Sequence, residues 1–84
     1  MANTKPIHQV RLGAIKAAIW QNRSDKTVES WFTVTVTRSY RDQEQIKDTT
    51  SFRRDDLPIV AKAVEMAYAW IWEQVAPSDV EAYE

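Results

Sequence analysis

The 84-residue sequence contains no cysteine, one glycine and one histidine. Without cysteine, neither a disulfide nor a thiolate zinc site can stabilise the fold. A single glycine excludes the phosphate-binding loop and the dinucleotide fingerprint, because both need several glycines at fixed spacing. His8 has no second histidine with which to form a metal site, and capping explains the adjacent Asp55 and Asp56 better than a catalytic carboxylate pair. We therefore expect no enzyme activity, no catalytic residue, no metal, no cofactor and no small-molecule substrate.

Long apolar runs are also missing. No run approaches the ~18 apolar residues that a membrane span requires, and residues 1–9 lack the apolar segment of a secretion signal. We therefore expect a cytoplasmic protein of a bacterial or phage-like context, with no membrane partner. A chain of this length predicts a single domain over 1–84, with an ordered core at about 7–75 and loose tails at 1–6 and 77–84.

Residues 55–75 form the longest apolar-periodic stretch and predict one amphipathic helix. Asp55 suits the N-cap position, and Pro58 falls in the first turn, where its missing N–H costs little. At 100° per residue, a first apolar stripe contains Leu57, Val60, Ala61, Val64, Tyr68, Ile71 and Val75. The second stripe contains Ile59, Ala63, Met66 and Trp70.

Two apolar stripes are more than one small sheet can cover. We expect the first stripe to pack on the sheet of its own chain and the second, Ile59, Ala63, Met66 and Trp70, to form a homodimer interface. The alternative is that the N-terminus or the tail of the same chain covers the second stripe.

Four extended segments are expected before the helix. In residues 7–21 the apolar alternation slips by one position at Gly13, which indicates either one kinked strand or two short strands that share a corner. Residues 22–30 read as a loop, 31–41 as a strand with clean alternation, and 46–53 as its hairpin partner. Because hairpin links join antiparallel strands, the predicted fold is α+β, a curved four-stranded antiparallel sheet followed by one long C-terminal helix.

Alternation divides these strands into an inner face under the helix and an outer face in solvent. Phe32, Val34, Val36, Ile46 and Phe52 are expected on the inner face. The outer face is expected to carry basic and aromatic side chains, namely Arg11, Lys16, Trp20, Trp31, Arg41, Lys47 and Arg53. By alternation, Arg38 and Tyr40 belong to the inner face. They lie at the far end of their strand, however, where a curved sheet can extend past the helix.

This inventory predicts a surface for single-stranded nucleic acid, because such ligands need cations along the backbone and aromatic faces for unstacked bases. The candidate phosphate-binding residues are Arg11, Lys16, Arg38, Arg41, Lys47 and Arg53. The candidate stacking residues are Trp20, Trp31 and Tyr40. The alternative interpretation is an ordinary solvated face, with the tryptophans in a core or a dimer interface.

The charges divide unevenly along the chain. Residues 1–54 hold ten Lys or Arg against five Asp or Glu, whereas residues 55–84 hold one Lys against seven acids. A basic sheet followed by an acidic helix and tail suggests a polyanion partner, although balance between exposed faces produces the same division.

Three segments, VRLGAIKAAIW, WFTVTVTRSYRD and KDTTSFRRDDLPIVAKAVEMAYAWI, resemble the positive-cofactor-four family of transcriptional coactivators and its small bacterial relatives. The similarity covers roughly residues 7–75. It implies a dimer built through the C-terminal helices, and single-stranded or melted DNA bound along grooves lined by the sheets. The family's aromatic residue before the hairpin turn falls on Tyr40, and its Ser-apolar pair on Ser51 and Phe52. Asp48, with Lys47 beside it, stands where the family has a basic residue.

From the residues and the resemblance together, we expect a single-stranded DNA-binding module of transcription or replication. The alternative is a dimeric protein-interaction or assembly module on the same scaffold that binds no nucleic acid. The sequence does not separate a DNA ligand from an RNA ligand.

Overall fold

The computed structural model describes residues 5–23 and 30–74, and it has the predicted α+β architecture. Four strands are followed by a short 3-10 turn at Arg54–Asp56 and one long helix. The elements are β1 (His8–Leu12), β2 (Ile15–Arg23), β3 (Ser30–Asp42), β4 (Gln45–Thr49) and α1 (Leu57–Gln74). Within the described ranges, no helix has both the length and the hydropathy needed to cross a membrane.

The strands form one antiparallel sheet in the order β1-β2-β3-β4. Two-residue turns join β1 to β2 and β3 to β4, with Gly13 and Gln43 as their first residues. Gly13 has a φ of 62°, a conformation that glycine adopts at little cost. The slip in alternation at Gly13 is therefore a hairpin turn between two separate strands.

Residues opposite each other in an antiparallel ladder lie on the same face of the sheet. Val10 lies opposite Ala17, which lies opposite Val36, so this row shares one face across three strands. This inner face forms the core with α1. The buried core residues are Val10, Ile15, Ala17, Ile19, Ala63 and Ala67.

Helix α1 packs on β1 and β2 and reaches the near side of β3. Ala63 and Ala67 are fully buried, and their small side chains let the helix axis approach the sheet closely. The Trp70 ring stacks on His8 with 4.5 Å between ring centroids and meets Phe32 edge-on at 6.2 Å. These contacts fix the end of the helix over the starts of β1 and β3.

The contact on Ala63 and Ala67 contradicts part of the predicted roles of the two helix stripes. Ala63 is fully buried, and the half-buried Trp70 packs on its own sheet, so neither is available to a second chain. Ile59 and Met66 are exposed. From the first stripe, Val60 and Ile71 pack on the core. The residues of that stripe that are exposed instead are Leu57, Ala61, Val64 and Tyr68.

Several predicted boundaries also differ. β2 extends through Asn22 and Arg23, and β3 begins at Ser30, so these residues are not in a loop. β4 ends at Thr49, and the chain from there leads into the 3-10 turn. Residues 24–29, the N-terminal residues 1–4, and residues 75–84, including the predicted helix end and tail, lie outside the described part.

The prediction of Asp55 as the N-cap is wrong, because Arg53 is the N-cap of the 3-10 turn that leads into α1 and Asp56 is the third residue of a capping box. The Asp56 carboxylate, not that of Asp55, accepts a hydrogen bond from the backbone N–H of Arg53 at 2.9 Å. The α-helical residues then begin at Leu57, and Pro58 occupies the first turn as predicted.

Candidate nucleic-acid interface

The outer face of the sheet, which points away from α1, collects five of the predicted residues. Arg11 lies opposite Lys16, and Lys16 opposite Thr37. Two positions further along β2, Ala18 lies opposite Thr35, and then Trp20 opposite Thr33. The predicted residues on this face are Arg11, Lys16, Trp20, Trp31 and Arg41.

Trp20 is held in place by a hydrogen bond along the outer face. Its indole N–H donates to the Thr35 hydroxyl at 3.0 Å, and Thr35 lies opposite Ala18. The bond draws the indole along the sheet toward Ala18, which is 4% exposed although the helix lies on the other side. We infer that the indole covers Ala18 and is oriented before any ligand arrives.

Trp31 lies beside Trp20. It is opposite Asn22, and thus on the diagonal from Trp20, a separation of about 7–8 Å between Cα atoms in an antiparallel pair. Trp31 is 49% exposed, and Asn22 is engaged by donating to the Thr33 hydroxyl at 3.1 Å. One end of the outer face therefore carries a fixed indole next to an accessible one.

The cations lie toward the other end. Lys16 is 3.9 Å from the Asp48 carboxylate, which also accepts a hydrogen bond from the Ser39 hydroxyl at 2.8 Å. In the described part of the chain, neither Arg11 nor Arg41 forms an ion pair. Because a solvated Lys–Asp pair is weak, the outer face presents a net positive charge at this end.

The predicted direction of Lys47 is wrong. The register places Lys47 opposite Tyr40 and Thr49 opposite Arg38, both on the inner face, and turns Ile46 outward opposite Arg41. Ile46 is 62% exposed. The two-residue turn sets this register. Because α1 packs on β1, β2 and the near side of β3 rather than on β4, no core draws Ile46 toward the inner face.

Arg38, Tyr40 and Lys47 form a separate group on the inner face. The Arg38 side chain donates from Nε to the Ser51 carbonyl at 3.2 Å and lies 3.4 Å from the Asp56 carboxylate. Its guanidinium is 5.8 Å from the centre of the Tyr40 ring. Lys47 pairs with Asp42 at 2.8 Å. Both cations therefore already have carboxylate partners.

Arg53 belongs to neither group. It lies in the connection between β4 and α1 and is exposed. Among the described residues, no three His, Cys, Asp or Glu side chains come together as metal ligands would.

The sequence pattern does not single out the Thr35 hydroxyl that accepts from Trp20, or the hydrogen bond from Asn22 to Thr33 beside Trp31. The predicted loop 22–30 includes Asn22, which instead lies in β2, and Thr33 and Thr35 lie on the outer face of β3. In a strand that continues past Trp20, Asn22 lies on the same face as Trp20. This alternation was sufficient to extend β2 by two residues.

No family model, no curated protein and no solved structure matches this sequence. The resemblance to the positive-cofactor-four family therefore stays a prediction.

Proposed function

We propose that the outer face binds single-stranded DNA, in a module of the transcriptional-coactivator type that acts in transcription or replication. The observation that carries this proposal is the placement of Trp20 beside Trp31, on the face that also carries Arg11, Lys16 and Arg41. Aromatic stacking contributes about 1–3 kcal/mol per base and tolerates any sequence, because every base has a flat face.

The layout suggests how a strand lies on the sheet. Trp20 and Lys16 are four residues apart on β2, a distance of about 13 Å at the rise of a strand. A ligand that runs along β2 therefore stacks its bases on the two indoles and brings phosphates to Lys16 and Arg11. Thr33 and Thr35 are exposed, and their hydroxyls, which accept from Asn22 and Trp20, can each donate a hydrogen bond to the ligand.

Titration of the full chain with oligo-dT tests the proposal. Binding is expected to quench tryptophan fluorescence, because the ligand contacts Trp20 and Trp31. Three phosphate contacts give a slope of about −2 for log K against log salt concentration on single strands. Unchanged fluorescence and no complex at low salt would overturn the proposal.

Substitutions locate the site. Trp31→Ala is expected to weaken binding by about 5- to 150-fold, the loss of one stacking contact. Arg41→Glu is expected to weaken binding and to flatten the salt dependence. The matched control is Lys62→Glu, the same charge change on the exposed side of α1, which should bind like the wild type.

Lys47→Glu distinguishes the two faces of the sheet, since loss of binding in this variant would place the ligand on the inner face.

The second candidate function is a dimeric protein-interaction or assembly module without a nucleic-acid ligand. It is favoured by the exposed apolar residues of α1. This candidate predicts that the protein self-associates and binds neither oligo-dT nor oligo-U. Binding of oligo-U in preference to oligo-dT would instead indicate an RNA ligand.

A further inference from the structure

Asp48 is the only carboxylate that the described strands place on the outer face of the sheet. One of its oxygens accepts a hydrogen bond from the Ser39 hydroxyl at 2.8 Å, and the other lies 3.9 Å from Nζ of Lys16. A hydroxyl and an ammonium group are also the donors that bind phosphate oxygens in nucleic-acid complexes. The Asp48 carboxylate therefore occupies a position that suits a backbone phosphate.

The Thr37 hydroxyl is an unused hydrogen-bonding group beside this position. Thr37 lies opposite Lys16 and two residues before Ser39, so the three side chains share the outer face. Its Oγ1 is buried and forms no hydrogen bond with any described residue. Buried polar groups are nearly always paired, because an unpaired one costs stability. The Thr37 hydroxyl thus contributes no hydrogen bond to the fold and is available to a ligand.

The course of the Lys16 side chain explains why this hydroxyl is buried. Lys16 starts on β2 and its ammonium group lies near Asp48 on β4, so the side chain crosses β3 between Thr37 and Ser39. The Lys16 side chain is only 25% exposed, because it lies along the sheet instead of projecting into solvent. Turning Lys16 away from Asp48 therefore uncovers the Thr37 hydroxyl.

We propose that Lys16, Thr37 and Ser39 form a phosphate subsite of the outer face, which the Asp48 carboxylate occupies until a nucleic-acid phosphate displaces it. The proposal rests on the proposed function, because it concerns the backbone of the same ligand. When the phosphate binds, Lys16 turns from the carboxylate to the phosphate, and the Ser39 hydroxyl exchanges one anionic acceptor for another. The Thr37 hydroxyl gains the acceptor that it lacks.

The contacts of Asp48 are weak enough for this exchange. Its side chain is 48% exposed, and a solvated pair of Lys and Asp at 3.9 Å contributes little to stability. The carboxylate also repels a phosphate that approaches Lys16. Asp48 therefore lowers the affinity of the outer face for single strands without preventing binding.

Asp48→Asn tests the displacement, because asparagine keeps an acceptor for Ser39 but loses the charge that holds Lys16. Titration of the full chain with oligo-dT at fixed salt is expected to show about two- to fivefold tighter binding than in the wild type. The matched control is Asp42→Asn. Asp42 is also a strand carboxylate, 48% exposed and paired with a lysine, but it lies on the inner face. Asp42→Asn should bind like the wild type, and an equal gain in both variants would overturn the proposal, because net charge alone would explain it.

Thr37→Val tests the unpaired hydroxyl, because valine has nearly the same shape but cannot donate. The variant is expected to bind oligo-dT about tenfold more weakly, the loss of one hydrogen bond to a charged group. Its urea midpoint should equal or exceed that of the wild type, since the hydroxyl has no partner to lose. Thr49→Val is the matched contrast, because the Thr49 hydroxyl accepts from the Ser51 N–H at 3.1 Å on the inner face. It should lower the urea midpoint and leave binding unchanged.

The same titrations separate failure of the subsite from failure of the proposed function. If the wild type binds oligo-dT while Asp48→Asn binds no tighter and Thr37→Val no weaker, the subsite is wrong and the outer face remains the site. If neither the wild type nor Asp48→Asn binds at low salt, both proposals fail. Binding by Asp48→Asn alone would support the subsite, with Asp48 as a stronger competitor than expected.

Discussion

Asp56 makes two contacts that join the start of α1 to the sheet. Its carboxylate accepts from the Arg53 backbone N–H at 2.9 Å and lies 3.4 Å from Nε of Arg38 on β3. Its side chain is 22% exposed, so these contacts are partly shielded from water. We expect Asp56→Ala to lower the free energy of unfolding by about 1–2 kcal/mol, because it removes the acceptor of the Arg53 N–H and leaves the partly buried Arg38 side chain without its carboxylate partner. Urea denaturation followed by circular dichroism measures it.

Asp55 provides the matched control for Asp56. It is the neighbouring residue, of the same type, but its pair with Arg54 at 3.5 Å is almost fully exposed. Asp55→Ala is therefore expected to change stability by less than about 0.5 kcal/mol, as surface substitutions usually do. Equal losses in the two variants would show that Asp56 has no special role at the helix start.

At the scale of elements, the two hairpins use turns of the same kind with different residues. Gly13 and Gln43 are each the first residue of a two-residue turn and have φ values of 62° and 59°. A positive φ at this position is the pattern of a type II′ turn, which favours glycine. We expect Gln43→Gly to raise the free energy of unfolding by about 0.5–1 kcal/mol by relieving strain, as measured by urea denaturation.

Two controls separate strain from the general effect of glycine. Glu44→Gly changes the second residue of the same turn, whose φ is not positive, and should destabilise slightly because glycine adds entropy to the unfolded chain. Gly13→Ala should destabilise by about 1–2 kcal/mol through the backbone alone, since a Cβ there meets no atom within 4 Å. If Gln43→Gly is no more stable than Glu44→Gly, the turn at Gln43 is not strained.

Element order and the faces of β3 were predictable from the sequence, because Phe32 and Val36 alternate with polar residues and pack against the core under α1, and Val34 shares their face although it is 37% exposed. The faces of β4 were not predictable. β4 has one large apolar residue, Ile46, and the strand extends past the helix. The pattern of apolar residues therefore does not indicate which face of β4 is buried. The register from the two-residue turn decides instead, and it reverses the expectation for Lys47.

The two apolar stripes of α1 show a second limit of sequence periodicity. Helical spacing gives the angle of each residue about the axis, but it does not say which angle faces the sheet. The contact centres on Ala63 of the second stripe and on Ala67, which lies between the stripes, because small side chains allow the closest approach of helix and sheet. Hydrophobicity alone ranks Leu57 or Tyr68 above these alanines and so selects the wrong side.

At the scale of the whole molecule, the two proposed surfaces lie on opposite sides of the β2 core residues. The outer face carries Trp20 and Lys16, and α1 packs over the other side on Ile15 and Ile19. Two copies joined through the exposed apolar residues of α1 would therefore leave both outer faces open. Such a dimer would have two separate ligand sites, each built from one chain.

This separation predicts that dimerisation and ligand binding are independent for short strands. Tyr68→Glu, expected to be monomeric, should bind a short oligo-dT with an affinity per chain within about twofold of the wild type, because sites without shared partners act additively. Fluorescence titration at fixed salt measures the affinity, and the titration end point should give one short strand per chain in both proteins. A folded Tyr68→Glu monomer that no longer binds would show that each ligand site needs residues from two chains. In that case, the outer face of one chain would be only part of the site.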